Sequence, residues 1–213
     1  SDDPYAPGGE GGGKPKFATV VYANLVRAAF PGVPVIIGGI EASMRRLPYY
    51  DFWDNRLRRS ILLDSKADLL VYGMGERQVA EIALRLDARR DLSGIPGTVE
   101  IASSPPEGAV MLPSEEGVLG GRGDFIEQYR ALFRDGAKIL AQPTARRFLI
   151  HHPPSQMTPH ELDAVFALPF TRLPHPSYGK AAIPAFVMIR CSVTSHRGCV
   201  SGCSFCSLAL HQG

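Results

Sequence analysis

Two short apolar runs limit the fold of this chain more than any other feature. Val33 to Ile37 is a continuous apolar stretch closed by Gly38-Gly39, and Asp68 to Tyr72 is a similar stretch closed by Gly73. A strand that is apolar along its whole length is buried on both faces, the pattern of a parallel strand covered by helices. A helix is expected to start near Gly75 and to carry Val79, Ile82, Ala83 and Leu86 on one face. Upstream, Val20, Val21, Leu25 and Ala28 keep helical spacing between Phe17 and Phe30, with Gly32 as a stop signal. Further strands are expected at Thr98 to Ala102 and at Ala109 to Leu112. A long helix is expected from Phe125 to Leu140, with Ile126, Tyr129, Leu132 and Phe133 on one side. Strands alternating with helices argue an open α/β sheet with right-handed crossovers.

The flanks have a different character. Residues 1–15 are Gly- and Pro-rich and read as loop or disorder. Thr158-Pro159-His160-Glu161 is a helix start: Thr158 caps, Pro159 suits the first helical position, and Glu161 completes a capping box. That helix is expected to run to about Leu168. Pro169 to Pro184 has no periodicity and reads as a connector, and Ala185 to Val193 as a strand. In that strand Val187, Ile189, Cys191 and Val193 would share an apolar face and Met188, Arg190 and Ser192 the other. The expected division is 1–15 loop, 16–145 α/β domain, 146–184 helical and Pro-rich connector, and 185–213 the start of a further domain.

With 213 residues, the chain can hold one full domain and part of another. A net charge of +2 and a pI near 8.4 give no ground for a nucleic-acid partner. The pairs Arg45-Arg46, Arg58-Arg59, Arg89-Arg90 and Arg146-Arg147 read as solvated helix faces. No apolar run approaches the ~20 residues that span a bilayer, and no signal peptide is visible. Four cysteines, three of them on one loop, suit a reducing cytoplasm better than a disulfide framework.

Those three cysteines carry the chemistry. The run R-G-C-V-S-G-C-S-F-C spaces Cys199, Cys203 and Cys206 as C-x3-C-x2-C. Thiolates this close can converge on one metal centre, and Gly198 and Gly202 let the backbone curl round it. Structural zinc and ordinary iron–sulfur sites take four protein ligands. Three ligands on a four-iron cluster would leave one iron open, as a catalytic site requires. The residues alone leave other readings: zinc completed by Cys191, His196 or His211, a four-cysteine electron-transfer cluster using Cys191, or a disulfide pair.

The spacing C-x3-C-x-aromatic-C, with Phe205 before the last cysteine, resembles the cluster loop of radical S-adenosylmethionine (SAM) enzymes. The stretches P-V-I-I-G-G-I-E-A-S-M-R-R, D-S-K-A-D-L-L-V-Y-G-M-G-E-R, L-P-H-P-S-Y-G and R-G-C-V-S-G-C-S-F-C-S-L-A-L-H-Q-G resemble the YgiQ family of radical SAM proteins. The likeness runs from about Ala6 to Gly213. It implies a [4Fe–4S] cluster on Cys199, Cys203 and Cys206, with the open iron chelating the amino and carboxylate groups of SAM. Reductive cleavage would then give a 5′-deoxyadenosyl radical. It also implies that Phe205 lies against the adenine of SAM or anchors the loop. An external electron donor such as flavodoxin or ferredoxin is implied as well, and the substrate is unknown.

For the fold, the resemblance implies a Rossmann-like, cobalamin-binding-like domain over 16–145. Residues 185–213 would then be the first strand and cluster loop of a truncated radical SAM partial TIM barrel, making the chain a fragment. The cobalamin-ligating D-x-H-x-x-G is absent from the sequence, so cobalamin is not expected. Gly38-Gly39 with Glu41 and Ser43, and Gly73-x-Gly75, stand where open α/β sheets bind ligands, although tight turns alone explain such glycines. His151-His152 and His160 lack partners at ligand spacing and read as surface or core residues. Tyr49, Tyr50, Phe52 and Trp53, beside Asp51 and Asp54, read as packing of an inter-domain surface. The rival function is a non-catalytic metal module, zinc or four-ligand iron–sulfur, beside a regulatory nucleotide-binding-like domain.

Overall fold

The structure is a computed structural model and describes residues 2–203 and 205–212. In chain order the first elements are α1 (Ala18–Ala29), β1 (Ile36–Ile37), α2 (Gly39–Met44), β2 (Tyr49–Asp51), β3 (Arg56–Arg58) and α3 (Ile61–Ser65). There follow β4 (Leu69–Val71), α4 (Glu76–Asp87), β5 (Thr98–Ala102), β6 (Val110–Met111), α5 (Glu115–Gly120) and α6 (Arg122–Asp135). The last are β7 (Leu140–Pro143), β8 (Phe148–His151), α7 (Pro159–Phe166), α8 (Pro184–Ile189) and α9 (Leu208–Gln212). They form two compact units. One joins the N-terminal stretch through Ala18 to Thr158–Arg197, and the other joins Thr19–Met157 to the stretch from Gly198 onward.

The larger unit has the expected α/β fold, a helix-flanked sheet of the Rossmann-like kind. Its six strands lie in the order β1-β4-β5-β8-β7-β6. The pairs β1–β4 and β6–β7 are parallel, and β4–β5, β5–β8 and β7–β8 are antiparallel, so the sheet is mixed rather than parallel throughout. Part of the reason is local. Thr144 and Arg147 close a tight turn, with the Thr144 N–H donating to the Arg147 carbonyl at 2.8 Å. Only antiparallel strands can be joined by so short a link. Strand β8 lies beyond position 145, so the sheet extends into the segment expected to be connector.

Both faces of the sheet are packed. Leu70 of β4 joins Ala23, Ala42, Ile61 and Leu62 on one side, while Leu69 and Val71 join Ile82 and Ile95 on the other. This alternation explains why the run reads as apolar without interruption. Each fully buried Leu or Ile contributes about 1.5–3 kcal/mol. The helical faces differ from expectation. In α4 the buried pair is Gln78 and Ile82, with Val79 exposed, and in α6 it is Gln128 and Ala131, with Ile126 and Phe133 exposed. Helix α6 stops at Gly136 because Leu140 already belongs to β7.

The aromatic cluster forms the separate hairpin β2–β3. Asp51 is buried at its turn, accepts the Trp53 N–H at 3.0 Å and takes Arg58 Nε at 2.5 Å. Phe52 and Trp53 are exposed.

In the smaller unit the Thr158 capping box forms as expected. Glu161 N–H donates to Thr158 Oγ1 at 3.3 Å, and Thr158 N–H donates to Glu161 Oε2 at 2.8 Å. The N-terminal stretch lies along the Pro-rich segment, with Gly8 N–H donating to the Ala182 carbonyl at 2.7 Å. The strand expected over 185–193 is instead the short helix α8, with Pro184 in its first turn. A strand needs a neighbour to take its backbone groups, whereas a helix satisfies them internally. Cys191 follows this helix and is exposed, so it is not the buried apolar residue that a strand would have made it.

Candidate functional site

Strands β1 and β4 run parallel and end side by side, at Gly38-Gly39 and at Gly73. That carboxyl edge is where open α/β sheets place their ligands. Ser43, buried in α2, accepts the Gly73 N–H at 3.1 Å. Its hydroxyl also lies 2.9 Å from His211 Nδ1. Arg46 Nη1 donates to the Leu210 carbonyl at 3.1 Å. These contacts seat helix α9, the segment following the cysteines, on the sheet edge. Gly73 has φ +75°, and a Cβ there would meet the His211 carbonyl oxygen at 3.3 Å. Glu41 is committed elsewhere: its carboxylate accepts the Thr19 N–H at 3.0 Å at the start of α1, and takes Arg45 Nη1 at 2.5 Å.

The cysteine loop closes on α9. Cys199 N–H donates to the Gln212 carbonyl at 3.0 Å. A Cβ on Gly198, at φ +83°, would meet the same oxygen at 2.7 Å, so only glycine suits that position. Gly202 also has positive φ, +58°, and Cys206 N–H donates to the Cys203 carbonyl at 3.0 Å. Cys199 is exposed, and Cys203 and Cys206 are half-buried. Hydrogen bonds from the Ser201 backbone N–H, and then from its hydroxyl, hold the Cys199 thiol below its ordinary pKa. A thiolate is the form that binds metal. Phe205 is exposed.

Among the described residues no group of three or more His, Cys, Asp or Glu side chains is placed to hold a metal ion. Thiolates suit a soft iron–sulfur centre in their chemistry, but the three sulfurs are not drawn together.

Two residues given no functional role in the sequence stand beside this edge. Arg46 was expected on a solvated face with Arg45; it is instead buried, its guanidinium 4.6 Å from the Tyr72 ring centroid. His151 ends β8 and is buried, with no hydrogen-bond partner on either ring nitrogen among the described residues. Burial first, then the charge of Arg46 and then that of His152, bring its pKa down to about 3. The next residue, His152, is also buried and lies 2.6 Å from Glu100 Oε1. Adjacent histidines carry no spacing signal, so only the fold distinguishes them.

The family described as radical SAM N-terminal matches residues 1–192. The chain belongs to this family. The match ends before Cys199, but relatives cover the cysteine loop too. A UPF0313 protein of Geobacter sulfurreducens is 46% identical over 100% of this chain and 37% of its own length. A UPF0313 protein of Rhodopseudomonas palustris is 42% identical over 100% of this chain and 36% of its own length. One from Methanocaldococcus jannaschii is 41% identical over 94% of this chain and 34% of its own length. The radical SAM N-terminal chain thus spans about a third of the curated relatives it matches. No solved structure matches it. Among its described residues no helix is long and apolar enough to cross a membrane.

Proposed function

We propose that this chain is part of a radical SAM enzyme, with Cys199, Cys203 and Cys206 as ligands of a [4Fe–4S] cluster and SAM as cosubstrate. The observation that carries the reading is three cysteines on a glycine-hinged loop, in a chain that belongs to the radical SAM N-terminal family. When bound, such a cluster supplies the electron that cleaves SAM reductively. The chain's own residues have narrower tasks. Ser201 favours the thiolate of Cys199. Gly198 and Gly202 provide the positive-φ positions about which the sulfurs can be gathered. Phe205, exposed on the loop, offers a ring to an adenine.

The domain plan offered with this reading is an α/β domain from about residue 16 that β8 carries past position 145, then a connector up to 184 and the start of the radical SAM domain at 185–213. The enzyme would work in the cytoplasm with an electron donor of the flavodoxin or ferredoxin kind and without cobalamin. Its substrate is left unnamed.

Anaerobic reconstitution tests the reading. Alanine at any one of Cys199, Cys203 or Cys206 should abolish most of the visible absorption, and Cys191→Ala should keep full iron. The reduced full-length protein should yield 5′-deoxyadenosine from SAM. Undiminished iron in all three ligand variants, or no 5′-deoxyadenosine from the loaded enzyme, would refute it.

A further inference from the structure

We propose that the cavity between the terminal helix α9 and the sheet edge binds the oxyanion of a small acidic ligand, held by Arg46 and His151. This goes beyond the cluster reading and needs neither iron nor SAM.

The cavity encloses about 410 Å³, within the range of small-molecule sites. Among the described residues five basic side chains line it, namely Arg46, Arg134, Lys138, His151 and His211, and no Asp or Glu does. Two of these are partly neutralised from outside the wall: Asp135 takes Arg134 Nε at 2.7 Å and Lys138 Nζ at 2.9 Å. Arg46 is not. Its Nη1 donates to two carbonyls, of Ser43 at 2.6 Å and of Leu210 at 3.1 Å, and among the described residues no carboxylate pairs with it. A buried guanidinium without a counter-ion is costly. An oxyanion in the cavity would supply that counter-ion through a charge-assisted hydrogen bond.

His151 makes the second, independent demand. A neutral imidazole presents one N–H and one lone pair. Both ring nitrogens of His151 are buried, and neither has a partner among the described residues. Buried polar groups are normally paired, and an unpaired one calls for an explanation. An oxyanion accepts the N–H, and a hydroxyl on the ligand or an ordered water serves the lone pair. The charge of Arg46 helps to keep His151 neutral, as expected where the two lie close. The remaining wall is largely apolar, which suits a ligand with a carbon skeleton behind its acidic group.

The test uses the metal-free 213-residue chain, so its failure would leave the cluster reading untouched. The probes are inorganic phosphate and malonate, with chloride at matched ionic strength as control. The ring nitrogens of His151 are followed by NMR. A saturable shift with phosphate alone assigns a phosphate ester, and one with malonate assigns a carboxylate; either supports the site. Arg46→Met should weaken the response about tenfold to a hundredfold. If that variant fails to fold, Lys138→Gln takes its place and should weaken binding by a smaller but measurable factor. No saturable shift with either anion, or an unchanged affinity in the folded variant, overturns the proposal.

Discussion

The hydroxyl of Ser43 joins two remote stretches: it accepts the Gly73 N–H at 3.1 Å and lies 2.9 Å from Nδ1 of His211. Because Gly73 occupies its acceptor side, its own hydrogen is available to the imidazole. Ser43→Ala should cost about 1–2 kcal/mol, since it leaves the half-buried Gly73 N–H without its acceptor. Amide exchange across Leu208–Gln212 should quicken more than exchange in β5. Equal exchange in both forms would contradict this role for Ser43.

Gly73→Ala should destabilise by more than about 1 kcal/mol, because the position combines positive φ with a crowded Cβ. Gly94→Ala is the matched control. It has φ +72° with nothing within 4 Å, so it carries the backbone cost alone. The difference between the two urea midpoints measures the clearance beneath α9.

Thr158→Ala removes a reciprocal cap in a unit where no residue of Thr158–Arg197 is buried. With no packing to compensate, the loss of about 1 kcal/mol should appear as fraying of Pro159–Phe166. Native-state amide exchange of that helix reports it, while the sheet amides should not change.

His151 gives a pH dependence whose sign is fixed. Its folded pKa is about 3, against an ordinary value of 6.5. Below pH 6.5 the unfolded chain therefore takes up a proton that the folded chain refuses. Stability is full above about 6.5 and falls as pH drops, at roughly 1.4 kcal/mol per pH unit until the folded pKa is reached. Urea titrations at pH 7, 6 and 5 should show this slope, and His151→Gln should flatten it.

The parts of the fold that announced themselves were those in which local pattern and burial agree. The runs ending at Gly38 and Gly73 became β1 and β4, Thr98–Ala102 became β5 without change of bounds, and the Thr158 box closed as written. Strand β7 was hidden because Gln142 is polar yet buried, paired with Gln128 at 2.8 Å, and Pro143 breaks the run. Residues 185–193 alternate like a strand, but their fate depends on neighbours that a local pattern does not contain. Arg45 and Arg46 look alike in sequence. One pairs with Glu41 four residues back, and the other turns inward onto Tyr72. The cysteine spacing points to a candidate donor set, but says nothing of how far apart the sulfurs stand.

The bond from Cys199 N–H to the Gln212 carbonyl makes the cysteine segment a ring with its ends already joined. Ring closure is the expensive part of bringing distant residues together, and it grows only slowly with length. Here a backbone hydrogen bond meets that requirement. The three thiols are thus carried on a segment of fixed circumference rather than on a free tail, so any movement that brings them together is a rearrangement within a closed loop.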